Sequence, residues 1–575
     1  MFKLVKFLKP YRLSVIAALL LIFLQALSEL FLPTLMANIV DIGIVNGDTP
    51  YIIKLGGQML IIALVGTSCA ILSSYLSAKA ALSFGRDLRS AIFRRAEDFS
   101  LNEFDKIGTS SLITRTTNDI TQVQHLVIMS LRLMARAPMM AIGGIVMAFT
   151  RDAKLSLTIV FIIPLISLGI VVVGKRVTPL FRLVQTKLDK LNHVVRENLT
   201  GVRVIRAFNK ENHERTRFDE ANHDLTNTTL KVNKLMAALM PVMSLTLNFA
   251  TIAVIWFGAI RINSGTMQVG DLMAFIQYVM QIMFALIMVS MMFVMIPRAS
   301  ASAVRINEVL ETIPEIKDTN NFIEANKQDG LVEFNDVTFS YPGAEEPTLK
   351  NITFRAEPGK FTAIIGGTGS GKSTLLNLIP RFYETNSGII LVDGINIKDL
   401  TQKTLRNKIG FVPQKSVLFS GTVLDNIKHG KENATFDEIQ EACEIAQATE
   451  FIYNMKEGFE SVISQSGTNL SGGQKQRLSI ARALVRKPEI YLFDDSFSAL
   501  DFKTDARLRA ALINQTKKAT LIIVAQRVST IIDADQIIVL DKGEITAIGN
   551  HKQLLNSCDV YREIVSSQLS EEEIA

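Results

Sequence analysis

The sequence has few cysteines, and their spacing matches no metal-binding pattern. Its 575 residues include Cys69, Cys443 and Cys558, which form no Cys-x-x-Cys pair. This scarcity supports neither a disulfide-stabilised framework nor a zinc site. A cleavable signal peptide is not evident, and no basic patch interleaved with aromatic residues supports nucleic-acid binding.

Apolar residues are abundant and unevenly distributed. They make up 48% of the chain, with long apolar runs in the first half and the composition of an α/β domain in the second. The length predicts at least two domains. Lys and Arg number 61 against 55 Asp and Glu. We attribute this excess to basic residues beside membrane spans on the cytoplasmic side, with nucleotide or anionic lipid as alternative partners.

Six apolar segments are long enough to cross about 30 Å of hydrocarbon as helices. The loops after the second and fourth segments are long and rich in arginine, which places them and both termini in the cytoplasm. Residues 1–10 predict an amphipathic helix on the inner leaflet that Pro10 ends. The predicted spans are Leu13–Val40, Leu55–Ala78, Val127–Phe149, Leu155–Val177, Leu235–Ile260 and Leu272–Ile296.

The two long loops keep the helical spacing of their apolar residues and contain little glycine or proline. We therefore expect the spans to continue as helices beyond the membrane, each breaking at a polar corner, Leu101–Lys106 or Phe208–His213. Such a shaft suits a lever moved by a soluble motor, and a solvated hairpin is the alternative. The polar stretch Asp318–Asp329 is typical of a linker.

Five polar residues inside the spans are candidates for a substrate cavity, because an unpaired polar group in lipid is costly. Glu29 has three open interpretations: binding a cationic substrate, carrying a proton, or staying neutral and hydrogen-bonded between helices. The methionine-rich sixth span suits either an adaptable pocket or lipid-facing filler. The five residues are Gln25, Glu29, Asn248, Gln277 and Gln281.

A phosphate-binding loop follows a β-type run, Lys360–Ile365, and precedes a predicted helix, Ser373–Ile379. In such a loop the backbone amides wrap phosphate, the lysine reaches the outer phosphates, and the serine hydroxyl binds magnesium. The predicted ligands are therefore ATP and Mg²⁺. The loop residues are Gly366, Gly367, Thr368, Gly369, Ser370, Gly371, Lys372, Ser373 and Thr374.

A predicted buried strand brings Asp494 to its carboxyl end, where ligands collect in parallel sheets. Asp494 is the natural magnesium-side carboxylate. Tyr341, ahead of the glycine loop, is a candidate for stacking on adenine, with a core position as the alternative. The fold prediction is a six-helix membrane domain (1–315), a linker (316–330) and an α/β nucleotide-binding domain (331–575).

The order of these motifs resembles that of ABC transporters. The glycine loop, Gln414, a signature at Leu470–Gln474 and Asp494 occur as in bacterial multidrug-type exporters, in which one membrane domain is fused to one cassette. The resemblance implies that two cassettes dimerise head to tail, each ATP lying between one glycine loop and the partner's signature. The roles it implies are partner ATP contact by Ser471, Gly472, Gly473 and Gln474, magnesium sensing by Gln414, communication between sites by Asp501, and coupling helices near Asn102–Ile107 and Asn209–His213.

Two positions depart from the family pattern, Asp495 where a glutamate base is expected and Gln526 where a histidine is expected. Aspartate is one methylene shorter, and a misplacement of about 1 Å costs on the order of a hundredfold in rate. Glutamine cannot become an imidazolium, and no histidine occurs between His429 and His551. Both changes affect hydrolysis and spare ATP binding.

An impaired site beside an intact signature implies one subunit of a heterodimeric exporter. We expect it to move amphiphilic or drug-like compounds across the cell membrane with a second half-transporter that carries a competent site. Two alternatives stay open. One is a homodimeric exporter or lipid flippase in which Asp495 and Gln526 work adequately, and the other is a nucleotide-gated regulatory subunit.

Overall fold

The structure is a computed structural model that describes residues 2–318 and 329–568. The chain forms two compact units, Met1–Glu97 with Gly108–Thr312, and Asp98–Ile107 with Ile313–Ala575. The first unit therefore omits residues 98–107, which the sequence-based division assigned to the membrane domain. Most of the predicted linker, residues 319–328, lies outside the described residues.

The first unit is helical throughout its described part, and short 3-10 or π segments join several of its α-helices. These segments are Phe2–Tyr11, Ile39–Ile44, Arg115–Asp119 and Ser130–Met134. The first ten α-helices of the chain, of which α3 belongs to the second unit, are α1 (Arg12–Asn38), α2 (Thr49–Glu97), α3 (Leu101–Ile107), α4 (Thr109–Thr114), α5 (Ile120–Met129), α6 (Ala135–Arg151), α7 (Leu157–Thr200), α8 (Val202–Ala207), α9 (Glu211–Asn263) and α10 (Val269–Glu311).

Four helices are much longer than a membrane span, which confirms the predicted shafts. Helices α2, α7, α9 and α10 have 49, 44, 53 and 43 residues, whereas about 20 residues cross a bilayer. Among the described residues, five of the six predicted spans lie in helices long and apolar enough to cross a membrane. The fourth predicted span lies in α7, whose described apolar stretch, Leu157–Gly169, is shorter.

Three local predictions were wrong in detail. The N-terminal 3-10 helix contains Pro10 instead of ending at it, and it runs to Tyr11, directly before α1. The first predicted span ends at Val40 and the second begins at Leu55, but helical turns continue to Ile44 and α2 begins at Thr49.

At the second corner, the short helix is α8, and Glu211–His213 instead open the long helix α9. Asn209 between them has a φ of 51°, a left-handed conformation that ends a helix and that asparagine tolerates. The first corner matches its prediction more closely, because α3 covers Leu101–Ile107.

The second unit combines a six-stranded sheet, in the order β12-β11-β3-β10-β9-β6, with a four-stranded antiparallel sheet, β2-β1-β4-β5, and the pair β7-β8. The strands are β1 (Val332–Phe339), β2 (Leu349–Ala356), β3 (Phe361–Gly366), β4 (Ser387–Val392), β5 (Ile395–Asn396), β6 (Ile409–Val412), β7 (Gly421–Thr422), β8 (Val462–Ile463), β9 (Ile490–Asp494), β10 (Thr520–Val524), β11 (Gln536–Asp541) and β12 (Glu544–Gly549). The helices are α11 (Lys372–Leu378), α12 (Gln402–Asn407), α13 (Val423–Lys428), α14 (Phe436–Ile445), α15 (Thr449–Tyr453), α16 (Gly472–Leu484), α17 (Phe502–Gln515), α18 (Val528–Ile531), α19 (His551–Ser557) and α20 (Asp559–Ser566).

The six-stranded sheet is parallel except for its edge strand β12. Every residue of β9 and β10 is buried, as expected for strands covered on both faces. The carboxyl ends of β3, β6, β9 and β10 therefore meet at one edge of the sheet. Gly371 joins β3 to α11 with a φ of 98°, which requires glycine at this turn.

Candidate functional site

The glycine loop, residues 366–374, folds around the ammonium group of Lys372. Lys372 Nζ donates to the carbonyl oxygens of Gly366 at 2.9 Å and Gly367 at 2.6 Å. Burial lowers the pKa of Lys372, and the charges of Asp494 and Asp495 oppose that shift. The loop thus holds a partly desolvated cation that an anionic phosphate would stabilise better than two carbonyl groups do.

The predicted magnesium residues are brought together. Ser373 Oγ donates to Asp494 Oδ1 at 2.9 Å, which joins the start of α11 to the end of β9. Burial raises the pKa of Asp494, and the neighbouring Asp495 adds to that rise. A bound cation would relieve both effects, and hard oxygen donors are the ligands that Mg²⁺ prefers. Ser373 and Asp494 therefore fit a magnesium site, although their role as ligands stays a prediction.

Asp495 lies at the centre of the predicted hydrolytic residues. Its Oδ2 atom accepts from Gln526 Nε2 at 2.9 Å and from Gln414 Nε2 at 3.5 Å. The three residues follow the adjacent strands β9, β10 and β6, which explains why distant sequence positions converge. Asp495 has a φ of 46°, and its N–H donates to the carbonyl oxygen of Val524 at 2.9 Å. A positive φ is uncommon for a residue other than glycine, and such conformations, where the surrounding structure holds them, cluster at functional sites.

Two opposing effects act on the pKa of Asp495. Burial raises the pKa of its carboxyl group, while the Gln414 amide lowers it. A raised pKa makes a carboxylate a stronger proton acceptor. The Gln526 amide, however, already occupies Oδ2 at hydrogen-bond distance. The arrangement can hold and orient a carboxylate, and a water molecule must either compete with an amide at Oδ2 or approach Oδ1.

The signature residues form an ordered and exposed helix start. Ser471 caps α16, with its Oγ accepting from the backbone N–H of Gln474 at 3.3 Å, and Gln474 Oε1 accepting from the N–H of Ser471 at 2.9 Å. Ser471 and Gly472 are exposed, whereas Gly473 and Gln474 are half-buried. Asp501 likewise caps α17. These residues are preorganised, and their contact with a partner's ATP stays a prediction.

Tyr341 is tied to the glycine loop by its hydroxyl group. The Tyr341 hydroxyl shares a hydrogen bond with Thr374 Oγ1 at 3.0 Å, and its half-buried ring meets Phe339 and Tyr383 edge-on at 4.9 and 5.3 Å. The ring therefore has core partners beside the loop. Stacking on adenine stays a prediction.

Among the predicted cavity residues, Glu29 is paired with an arginine that sequence reasoning missed. Arg136 Nη2 donates to both carboxylate oxygens of Glu29, at 2.8 and 2.6 Å. Gln25 Nε2 donates to Glu29 Oε1 at 3.0 Å, and Gln281 Nε2 donates to the backbone oxygen of Glu29 at 3.3 Å. This contact gives Glu29 a hydrogen-bonding partner on another helix, and its three interpretations stay predictions. The sequence did offer a signal for this partner, because Arg136 is a cationic residue inside the third predicted span, Val127–Phe149.

The other two cavity candidates lie outside this cluster of hydrogen bonds. Gln277 Nε2 approaches the sulfur atom of Met36 at 3.6 Å. Asn248 is exposed on α9 and takes no part in the hydrogen bonds described around Glu29. The structure thus brings together three of the five predicted residues.

Gln568 is a second residue that sequence reasoning missed. Its Nε2 donates to the carbonyl oxygen of Gln526 at 2.8 Å, and its Oε1 accepts from the N–H of Val528 at the same distance. The side chain therefore bridges the segment that carries Gln526. Its position after α20, far from every motif, gave no signal for this contact.

Family models match parts of both units: the ABC transporter transmembrane region matches residues 15–286, and the ABC transporter model matches residues 349–498. An uncharacterised ABC transporter ATP-binding protein of Mycobacterium tuberculosis is 43% identical over 97% of each chain. An ATP-dependent lipid A-core flippase of Chromobacterium violaceum is 30% identical over 99% of this chain and 97% of the flippase. The solved structure of a bacterial Atm1-family ABC exporter with ATP bound aligns with a TM-score of 0.82 at 26% identity, over 97% of this chain and 99% of the other.

Proposed function

This chain belongs to the ABC transporter family, as an exporter-type half-transporter with an ATPase domain, and we propose that it is the hydrolysis-impaired subunit of a heterodimer. The heterodimer exports amphiphilic or drug-like compounds across the cell membrane. Both termini and the ATPase domain face the cytoplasm.

The observation that carries this proposal is the hydrogen bond of 2.9 Å from Gln526 to Asp495. A general base must come within about 2.6–3.2 Å of the attacking water. Asp495 is shorter than the glutamate of the family, and its Oδ2 is engaged by an amide that cannot take up a proton. Lys372 and the glycine loop hold phosphate regardless, and Ser373 and Asp494 would hold Mg²⁺. ATP therefore stays bound here for long periods.

Turnover occurs at the second site, which the partner's glycine loop and this chain's signature form together. The exposed, capped start of α16 supports that role. ATP binding favours the outward-facing state, and hydrolysis followed by release restores the inward-facing state. This requires ATP to bind one conformation more tightly than the other.

A homodimeric exporter or lipid flippase is the second candidate. It is favoured by the likeness to a lipid A-core flippase and by burial, which raises the pKa of Asp495 and makes it a stronger base. In that case the chain alone hydrolyses ATP at two identical sites.

Steady-state ATPase activity separates the two candidates. The chain is purified alone in lipid and compared with Lys372→Ala, with ATP binding followed in parallel. We expect ATP binding without hydrolysis above that of Lys372→Ala. Turnover of about 1 s⁻¹ or more that Lys372→Ala abolishes would instead establish the homodimer.

A further inference from the structure

A polar cluster in the membrane unit joins three helices. We define it as Gln25 and Glu29 of α1, Arg136 of α6 and Gln281 of α10. The cluster centres on the Glu29–Arg136 ion pair, whose closest distance is 2.6 Å. Both amide groups donate to Glu29, one to its carboxylate and one to its backbone oxygen. Most of the residues around the cluster in the predicted spans are apolar, so its four residues form a local polar region.

The cluster has hydrogen-bonding capacity that the described residues do not use. Arg136 Nε, a donor, and Gln281 Oε1, an acceptor, are buried and have no hydrogen-bond partner in the described part of the chain. The side chains of Glu29 and Arg136 are 30% and 31% exposed, so the pair can be reached from one side. Unpaired buried polar atoms are unfavourable. These two atoms are themselves buried, so a head group with both an acceptor and a donor would meet the exposed side of the ion pair and would satisfy them only once the side chains turn toward it.

Charge balance determines which head group fits. The Glu29–Arg136 pair is neutral as a whole, and an uncompensated charge is costly where water is scarce. A purely cationic or anionic ligand would leave the occupied cluster with a net charge. Zwitterionic and uncharged ligands would not, and of these only a zwitterion can place an anionic group at Arg136 and a cationic group at Glu29.

We propose that the polar cluster binds the zwitterionic head group of an amphiphile. The proposal rests on the export function above and names its substrate class. The same head-group chemistry occurs in membrane phospholipids and in free single-chain amphiphiles. A purely structural ion pair is the alternative. The Arg151–Asp271 pair supplies a matched control, because its arginine also lies on α6 and pairs with a carboxylate of another helix, α10, at 2.9 Å, with both side chains 21% exposed.

The test measures retention of radiolabelled dodecylphosphocholine on the full-length chain, immobilised in dodecyl maltoside micelles. We expect saturable binding that Arg136→Gln weakens by about tenfold. That variant leaves Glu29 unpaired, so it should bind labelled dodecyltrimethylammonium about tenfold better than the unmodified chain. Glu29→Gln should gain binding of dodecyl phosphate in the same way. Misfolding would change the binding of all three probes in the same direction, whereas loss of one charge changes the preference among them, and Arg151→Gln should change neither preference.

The proposal is overturned if the unmodified chain binds dodecyltrimethylammonium as tightly as dodecylphosphocholine, or if Arg151→Gln loses as much binding as Arg136→Gln. Displacement of the label by diacyl phosphatidylcholine supports a lipid head group as the ligand, and displacement only by single-chain phosphocholines supports a free amphiphile. The experiment needs neither ATP nor a second subunit. Its failure is therefore distinct from failure of the hydrolysis-impaired assignment, which the ATPase measurement tests.

Discussion

The two units of the chain stabilise charged groups in different ways. In the second unit, Asp494 and Asp495 are neighbours at the end of β9, and ladder hydrogen bonds fix that strand between β10 and β6. In the first unit, Glu29 and Arg136 are 107 residues apart and meet through their side chains alone. The sheet can hold two acidic groups side by side for cationic ligands, whereas the helices hold opposite charges that neutralise each other.

This difference predicts which property a substitution alters first in each unit. A substitution at the sheet edge alters chemistry, because the backbone still places whatever side chain is there. A substitution in the helical unit alters packing first, because the side chains themselves make the contact between helices. The predictions below test this contrast.

The largest expected effect is a gain of hydrolysis in the double variant Asp495→Glu/Gln526→His. The longer carboxylate reaches the water, and the imidazole replaces the amide on Oδ2. We expect ATPase activity of the chain alone to rise on the order of a hundredfold. Adding Lys372→Ala must abolish the gain. No rise in the double variant would show that Asp495 and Gln526 are not the cause of an impaired site.

The next prediction concerns the stability of the first unit. Arg136→Gln leaves Glu29 as an uncompensated charge, and we expect a loss of about 2 kcal/mol in the free energy of unfolding, reduced from the fully buried case by partial exposure. Glu29→Gln should lower the free energy of unfolding by a similar amount. The double variant Arg136→Gln/Glu29→Gln should regain most of the lost stability. Denaturant unfolding in mixed micelles measures this cycle. Strictly additive losses would contradict a direct interaction between the two side chains.

The same contrast explains how much could be predicted from sequence. Lys372 and Ser373 were predictable because a strand, a glycine loop and a helix follow one another along the chain, so local pattern fixes their geometry. Asp494 was predictable because a buried parallel strand brings its last residue to the carboxyl edge of the sheet. The convergence of Gln414, Asp495 and Gln526 was expected only through the resemblance, since it depends on the order of strands in the sheet.

The contacts that were missed depend on tertiary packing. The Glu29–Arg136 pair requires the relative register of α1 and α6, which hydropathy does not specify. Gln568 bonds the Gln526 segment from the far end of the chain. The grouping of residues 98–107 with the second unit depends on side-chain contacts of α3, such as the bond from Asn102 Nδ2 to Glu315 Oε2 at 2.6 Å. None of these contacts can be recognised from a local pattern in the sequence.

A smaller effect is expected where α3 is held within the second unit. The Tyr383 hydroxyl donates to Asp105 Oδ2 at 3.0 Å, and a hydrogen bond to a charged acceptor contributes about 1.5 kcal/mol or more. Tyr383→Phe should therefore speed amide hydrogen exchange in residues 101–107 by about tenfold. Tyr453→Phe, at an exposed tyrosine, is the matched control. Unchanged exchange would mean that α3 is held without Tyr383, by the Asn102–Glu315 bond and by the bond from the Glu315 N–H to Glu103 Oε1 at 3.2 Å.

The smallest effect, and the most direct test of the sheet as a scaffold for like charges, is the pH dependence of Asp495→Asn. Burial raises the pKa of Asp495, so the folded chain keeps its proton at a pH where the unfolded chain has lost it. Stability from this group is present below its unfolded pKa, near 3.8, and is lost as pH rises through the raised folded value. Asp495→Asn carries no such charge and can still accept from Gln526 through its side-chain oxygen.

The variant should therefore match the unmodified chain near pH 4 and exceed it at pH 7, by about 1 kcal/mol or about 2–4 °C in the unfolding midpoint of a domain of this size. Thermal unfolding of the nucleotide-free chain across that range measures the difference. Mg²⁺ with ATP should reduce the difference in stability between the variant and the unmodified chain at pH 7, because a bound cation relieves the repulsion between Asp494 and Asp495 in the unmodified chain. A variant that is less stable at pH 7 would mean that Asp495 stabilises the fold as a carboxylate, so that the sheet edge, like the helical unit, satisfies its charge internally.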